Sequence, residues 1–219
     1  MSNLDSFTYA CAEYLPFNDS EACRRVRAIR RADITTHPNK DFHIEVVPDH
    51  EIGFKRINDI FSRIKQSDDR DERLVLILPQ PHPQYEKVAY LINHYRVDCR
   101  NLYTFNMDEW ADQDGNSAPE TWPNGFMYFM KNHFYARIDK ELRPPEDHIQ
   151  GPTSANIKDY GKMMEDLGGV DVCYGGIGWS GHIAFIEPGS PEFAARDFDE
   201  WKELGARTVT LTPFTLAQS

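Results

Sequence analysis

His182 and Glu187 stand at the exit of a glycine-rich run, Gly175-Gly176-Ile177-Gly178-Trp179-Ser180-Gly181-His182, and a second pair of acids, Asp108 and Glu109, closes the apolar run Leu102-Tyr103-Thr104-Phe105-Asn106-Met107. An imidazole titrates near neutrality, and set beside carboxylates it is the equipment of general acid–base chemistry. Glycines in such a run let backbone amides approach a ligand and adopt positive φ, which makes Gly176 and Gly178 candidate substrate-binding positions. Asp108 and Glu109 are neighbours, so on an extended segment only one of them faces a given site. Together Asp108, Glu109, His182 and Glu187 offer metal-ligand chemistry too. One histidine and no compact ligand spacing name no metal site, and no cofactor is expected.

Other chemistries fit the same residues less well. Gly176-x-Gly178-x-x-Gly181 matches the dinucleotide fingerprint, which needs a helix opening at its third glycine to hold the pyrophosphate. Pro188 stops a helix there within two turns, and no acidic residue is placed to close a ribose site. Ser180 invites a nucleophile-elbow reading, but that motif wants glycine two residues later, where this chain has His182. The plainest alternatives are a glycine-rich strand exit with an incidental histidine and a pair of acids that only solvates a loop.

The elements that must position these groups read as alternating strands and helices. Leu74-Val75-Leu76-Ile77-Leu78, Leu102 to Trp110 and Val170-Asp171-Val172-Cys173-Tyr174 are strand candidates, and Ala206 to Ser219 reads as a strand entering a helix capped by Thr212 with Pro213 at its first turn. Asp49 caps a helix with Ile57, Ile60, Phe61 and Ile64 on one face, followed by a charged loop from Gln66 to Arg73. Tyr85 to Tyr95 is helical with Val88, Leu91 and Ile92 inward. An aromatic helix covers 124–137, and Ser154 caps a helix that ends near Gly168 with Ile157, Tyr160, Met164 and Leu167 inward. The alternation predicts an α/β fold: a doubly wound, mostly parallel sheet with helices on both faces, a three-layer sandwich. Residues 1–43, with Arg24, Arg25, Arg27, Arg30 and Arg31, read as an N-terminal extension to an α/β domain spanning 44–219.

A chain of 219 residues with 40% hydrophobic content can bury a real core. Its net charge of −11 argues against nucleic acid, whose binding depends on neutralising phosphates. Cys11, Cys23, Cys99 and Cys173 show no paired metal spacing and read as reduced thiols. Met1 to Phe17 holds acids and no sustained apolar run, so neither a signal peptide nor a membrane span is expected, and a cytoplasmic location is the default.

The segments Thr104-Phe105-Asn106-Met107-Asp108-Glu109-Trp110 and Gly175 to Pro188 together resemble the glucosamine-6-phosphate deaminase/isomerase family, over about Leu74 to Ser219. The Glu187-Pro188 ending resembles the deaminases more than the related 6-phosphogluconolactonases, which leaves a lactonase-like hydrolase as an alternative. The resemblance implies that a carboxylate, Asp108, carries a proton between C2 and C1 of an amino-sugar phosphate. It implies that His182 opens the ring, that Glu187 orients the imidazole, and that ammonia and a ketose phosphate leave. Glu109 becomes a supporting acceptor. The partner is then a sugar or sugar phosphate, with a homo-oligomer left open.

Two positions depart from the family pattern. Ser180 stands where the family has an aspartate, and the loop Pro79-Gln80-Pro81-His82-Pro83-Gln84 replaces a Gly- and Ser/Thr-rich phosphate loop. Three prolines remove three amide donors, which leaves the side chains of Gln80 and His82, the Ser180 hydroxyl and Arg207 as candidate substrate contacts. Family members continue past Ser219 with further basic residues, so the expectation is a domain lacking its C-terminal part. A weakened sugar-binding or regulatory protein on the same fold is the alternative these departures raise.

Overall fold

β1 (Leu74–Leu78) is apolar at every position because it is covered on both faces. The computed structural model describes residues 19–82 and 84–218, and in it β1 lies inside a four-stranded parallel sheet. β2 (Leu102–Asn106) pairs with β1 from Leu74↔Leu102 to Leu78↔Asn106. β3 (Ile149–Gln150) adds beyond β2 and β4 (Val172–Cys173) beyond β1, giving the order β3-β2-β1-β4.

The period of two along β1 divides the core. Leu74, Leu76 and Leu78 pack with α2 (Asp49–Arg70), α3 (Tyr85–Tyr95) and α4 (Phe126–His133), through Ile57, Ile60 and Ile64, Val88 and Ile92, and Met130. Val75 and Ile77 point the other way and meet Phe105 and, from α5 (Tyr160–Asp166), Tyr160, Met163 and Met164. Helices therefore cover both faces of a parallel sheet, the three-layer α/β arrangement expected from the sequence. Among the described residues no helix is long and apolar enough to cross a membrane. α1 (Ser20–Arg27), which carries Arg24, Arg25 and Arg27, buries no residue, and residues 1–18 with Cys11 lie outside the described part.

Several element boundaries differ from the expectation, each for a local reason. α2 starts at Asp49 with Pro48 as the capping residue, and it runs on to Arg70, where a loop was expected. Ser67 is buried there with its hydroxyl on the Glu72 carbonyl, and the i,i+4 pair Lys65–Asp69 supports the last turns. α4 ends at His133, and Tyr135–Arg137 forms a separate 3₁₀ turn. α5 begins at Tyr160, not near Ser154, because the Ser154 hydroxyl is engaged by Ser117 and the Asn156 side chain accepts from the Thr153 amide. Residues 206–212 form no strand. Their amides bond to side chains instead, Thr210 to Glu192 and Thr212 to Glu187, before a last helix, Pro213–Gln218, begins.

The carboxyl ends of β1, β2 and β4 open on one side of the sheet, where the residues after each strand meet. No helix follows Gly181, so the dinucleotide reading fails in its required context.

Candidate active site

A cleft of about 800 Å³ lies over those strand ends. Asp108 reaches it from the segment after β2, and Gly176, Gly178 and His182 from the segment after β4. Gln80 and His82 reach it from the loop after β1, which lies between the other two. Trp110, Trp122, Phe126, Phe129 and Phe185 give it aromatic walls. Among its described lining residues there is no lysine or arginine.

Asp108 is half-buried, and no described residue donates a hydrogen bond to its carboxylate. Burial, with the adjacent Glu109 charge as the smaller cause, pushes its carboxyl up to about 7. Glu109 has a different task. Its carboxylate accepts from the amides of Trp110, Phe126 and Met127 at 2.9, 2.9 and 2.8 Å, closing the open N-terminus of α4 where no side chain of Gly125 can do so. The sequence reading made Glu109 a supporting acceptor on the substrate side of the site. The structure commits its carboxylate to the backbone.

His182 is buried against Gly178, whose lack of a side chain is obligatory: a Cβ there would stand 2.2 Å from Nε2 of the ring. On the other side the imidazole meets Phe185, with ring centroids 5.7 Å apart. Phe185 is aimed by a two-residue reversal in which Ile183 and Ile186 exchange amide–carbonyl bonds. Ala184 and Phe185 both take positive φ, 53° and 58°, a pairing that hairpin turns normally assign to Asn and Gly. Each such residue costs roughly 1–2 kcal/mol. What the strain accomplishes is visible in the packing, since Phe185 also contacts Trp110 and Phe126 at 5.2 and 6.1 Å.

Behind the imidazole lies a row of buried hydroxyls. His182 Nδ1 is 2.7 Å from Ser180 Oγ and 3.1 Å from Thr215 Oγ1, and the two hydroxyls are 2.9 Å apart. Thr215 Oγ1 donates to Glu187, which also accepts from the Thr212 hydroxyl at 2.6 Å and the Thr212 amide at 2.7 Å. Burial pushes the Glu187 carboxyl up, but these donors and the nearby imidazole outweigh it and hold it below its ordinary range. For His182, burial lowers the imidazole and the Glu187 charge opposes that. Glu187 therefore acts on His182 through Thr215, without direct contact, and it does not line the cleft. Ser180 is likewise sealed in, so it is no substrate contact.

Gln80 lines the cleft, but its amide nitrogen is spent on the Leu78 carbonyl and on Asn106, and its oxygen is buried without a partner among the described residues. Both ring nitrogens of His82 lie within 2.9 Å of Arg56 Nη1, and burial together with that guanidinium holds the imidazole below its ordinary value. Pro83 lies outside the described residues. Arg207 is not in the cleft. It donates to the Glu192 and Gly205 carbonyls and lines a separate cavity of about 230 Å³ that shares Asp108, Trp110 and Phe185 with the cleft. Among the described residues no three His, Cys, Asp or Glu side chains group as metal ligands, so Asp108, Glu109, His182 and Glu187 do not converge. Sequence reasoning missed Thr215 and Arg56, whose partners lie 28 and 26 residues away along the chain. The one available signal was Thr212-Pro213, which announced a helix start beside Thr215.

No family model matches the chain. It is similar to glucosamine-6-phosphate deaminase of Dictyostelium discoideum, with 34% identity over 143 residues, 62% of this chain and 50% of that protein. It is also similar to the enzyme of that name from Caenorhabditis elegans, with 34% identity over 138 residues, 60% and 49% of the two chains. The chain thus spans about half the length of these curated relatives. Among solved structures, a monomeric glucosamine-6-phosphate deaminase shares the fold at a TM-score of 0.52 and 22% identity, covering 76% of each chain. The 6-phosphogluconolactonase of Leishmania guyanensis does so at 0.50 and 13%, covering 70% of this chain and 66% of that one.

Proposed function

For a chain homologous to the glucosamine-6-phosphate deaminases, we propose an amino-sugar isomerase–deaminase activity centred on Asp108 and His182. The observation that carries this reading is the placement of both groups in one cleft, with the Asp108 carboxyl raised to about 7. A proton carrier works best when its pKa lies near the working pH, because it must both accept and release.

In this mechanism His182 takes the anomeric hydroxyl proton as the C1–O5 bond breaks and passes it to O5. The open aldehyde then loses its C2 proton to Asp108 while the C1 oxygen takes a proton from solvent, forming an enolamine. Asp108 returns that proton to C1, which leaves an imine at C2. Water adds to the imine and ammonia departs, leaving a ketose. Every proton is accounted for by the two side chains and solvent.

Substrate choice depends on the loop after β1. The prolines of the 79–84 loop supply no amide donors, and the Gln80 amide nitrogen and the His82 ring are already engaged within the protein. This supports a substrate whose phosphate, if it has one, is not held by that loop. The same features favour the second reading, a sugar-binding protein without turnover. Ammonia release from glucosamine and from glucosamine 6-phosphate, paired with calorimetry on both, separates these readings. Turnover of either sugar supports the deaminase, binding without ammonia supports the binding protein, and neither result overturns both. Each charge-assisted hydrogen bond absent from the loop is worth roughly 1.5–3 kcal/mol, so little or no gain in affinity from the phosphate is expected.

A further inference from the structure

We infer that Thr215 is a positioning residue that fixes the tautomer of His182. Its hydroxyl joins Glu187 to Ser180 and His182 in a hydrogen-bond chain that can run in only one direction, which leaves Nε2 as the unprotonated nitrogen. The consequence for turnover rests on the acid–base role proposed above. The proton placement does not.

An ionised carboxylate is an acceptor only, and each hydroxyl has one proton to give. The Thr212 hydroxyl proton goes to Glu187 at 2.6 Å, and the oxygen of that hydroxyl accepts the Thr215 amide at 3.3 Å. The single hydroxyl proton of Thr215 also goes to Glu187. Toward Ser180 and His182, Thr215 Oγ1 can therefore only accept. If the Ser180 proton pointed at Nδ1, the Ser180 and Thr215 oxygens would face each other across 2.9 Å with no proton between them, in a site closed to water. Unpaired oxygens at that depth are costly. With the Ser180 proton on Thr215, its oxygen accepts from Nδ1–H at 2.7 Å, and Thr215 offers that N–H a second acceptor at 3.1 Å.

Both contacts of Nδ1 thus require a proton on it. In neutral imidazole the other nitrogen is then bare. Nε2 meets no hydrogen-bonding group among the described residues, and the ring lines the cleft. The anion at the far end of the chain biases the proton without touching the ring. The cluster also revises what Ser180 does, since the charge that an aspartate would bring there is already supplied one hydroxyl away. A Ser180→Asp change would set a second buried carboxylate near Glu187.

Nitrogen-15 NMR of histidine-labelled protein tests this, with the His182 signals assigned by their loss in His182→Gln. Wild type is expected to show a protonated, pyrrole-type Nδ1 and a bare, pyridine-type Nε2 at neutral pH. Thr215→Val keeps the shape and removes the hydroxyl. It should lose that preference and lower kcat by about 100-fold, the lower end of what general acid–base help supplies, with KM little changed. Thr215→Ser should restore both. A bare Nδ1 in wild type overturns the inference whether or not either variant folds. So does a Thr215→Val protein that keeps the Nδ1 proton. If no amino sugar is turned over, the spectra still decide where the proton sits, and only the proposed activity falls.

Discussion

Asp108, half-buried, and Glu187, buried, both stand by the same imidazole-bearing segment, yet their surroundings drive them in opposite directions. Glu187 is the more hidden, at 5% exposed, and it is held below its ordinary range by Thr212 and Thr215. Asp108 stands at the cleft wall with no donor, next to another negative charge, and is raised to about 7. Burial alone does not set the protonation of an acid. The number of donors that meet its ionised form does. One fold end thereby holds a fixed anion and a titrating one, the pairing that acid–base chemistry needs.

The largest expected effect is on Asp108. Asp108→Asn should lower the proposed ammonia release by about 10⁴-fold and His182→Ala by about 10²-fold, the span that positioned acids and bases supply. Asp108→Asn should also stabilise the fold at high pH. The folded chain keeps this proton up to about pH 7 whereas an unfolded aspartate loses it near 4, so protonation favours folding. That contribution is complete below pH 4 and lost as pH rises through 7. Urea unfolding at pH 8 should therefore show the variant more stable, by on the order of 1–4 kcal/mol at about 1.4 per pKa unit, with the difference gone at pH 4.

Glu187→Gln should do the reverse. An amide in that place turns an NH₂ toward the Thr212 amide or the threonine hydroxyls, at a cost of about 1–3 kcal/mol. Because the Glu187 carboxyl is held low, its stabilisation is present above the unfolded value and lost as pH falls through the folded one. The deficit should be full at neutral pH and shrink in acid. A deficit that does not change with pH would mean that the Glu187 charge is immaterial.

The smallest change is expected from Glu109→Gln. One oxygen can still accept from the Trp110 and Phe126 amides while the Met127 amide loses its acceptor, so about 1 kcal/mol of helix-capping and charge stabilisation should go. With the neighbouring charge removed, Asp108 should titrate somewhat lower, and the acid limb of kcat/KM should move with it. An unmoved limb would leave burial as the sole cause of the Asp108 shift.

What the sequence made legible follows from how local each cause is. β1 declares itself by five consecutive apolar residues, and α2 by Ile57, Ile60 and Ile64 at helical spacing, because burial writes its period into the chain. The two-residue β3 carries no such period. Thr208-Val209-Thr210-Leu211 alternates like a strand, yet its neighbourhood is held by the carboxylates of Glu192 and Glu187, which no local pattern reveals. That Asp108 and His182 share one cleft was legible because each follows a strand at the same end of a parallel sheet. Thr215 was not, since its meaning depends on Ser180, His182 and Glu187 folding back onto it. The turn at Ala184-Phe185 was hidden for another reason: it uses residues that turns avoid, and tertiary packing of Phe185 against Trp110 compensates.

Carbon-13 NMR titration of the Asp108 and Glu187 carboxyls in the intact chain tests the opposed tuning without reference to any substrate. The two signals can be assigned by their loss in Asp108→Asn and Glu187→Gln. The expected result is an Asp108 midpoint near 7 and a Glu187 midpoint below the ordinary glutamate value of about 4.3. Two midpoints together near 4 would contradict the account, because Asp108 would then be an ordinary ionised aspartate at neutral pH and no proton carrier.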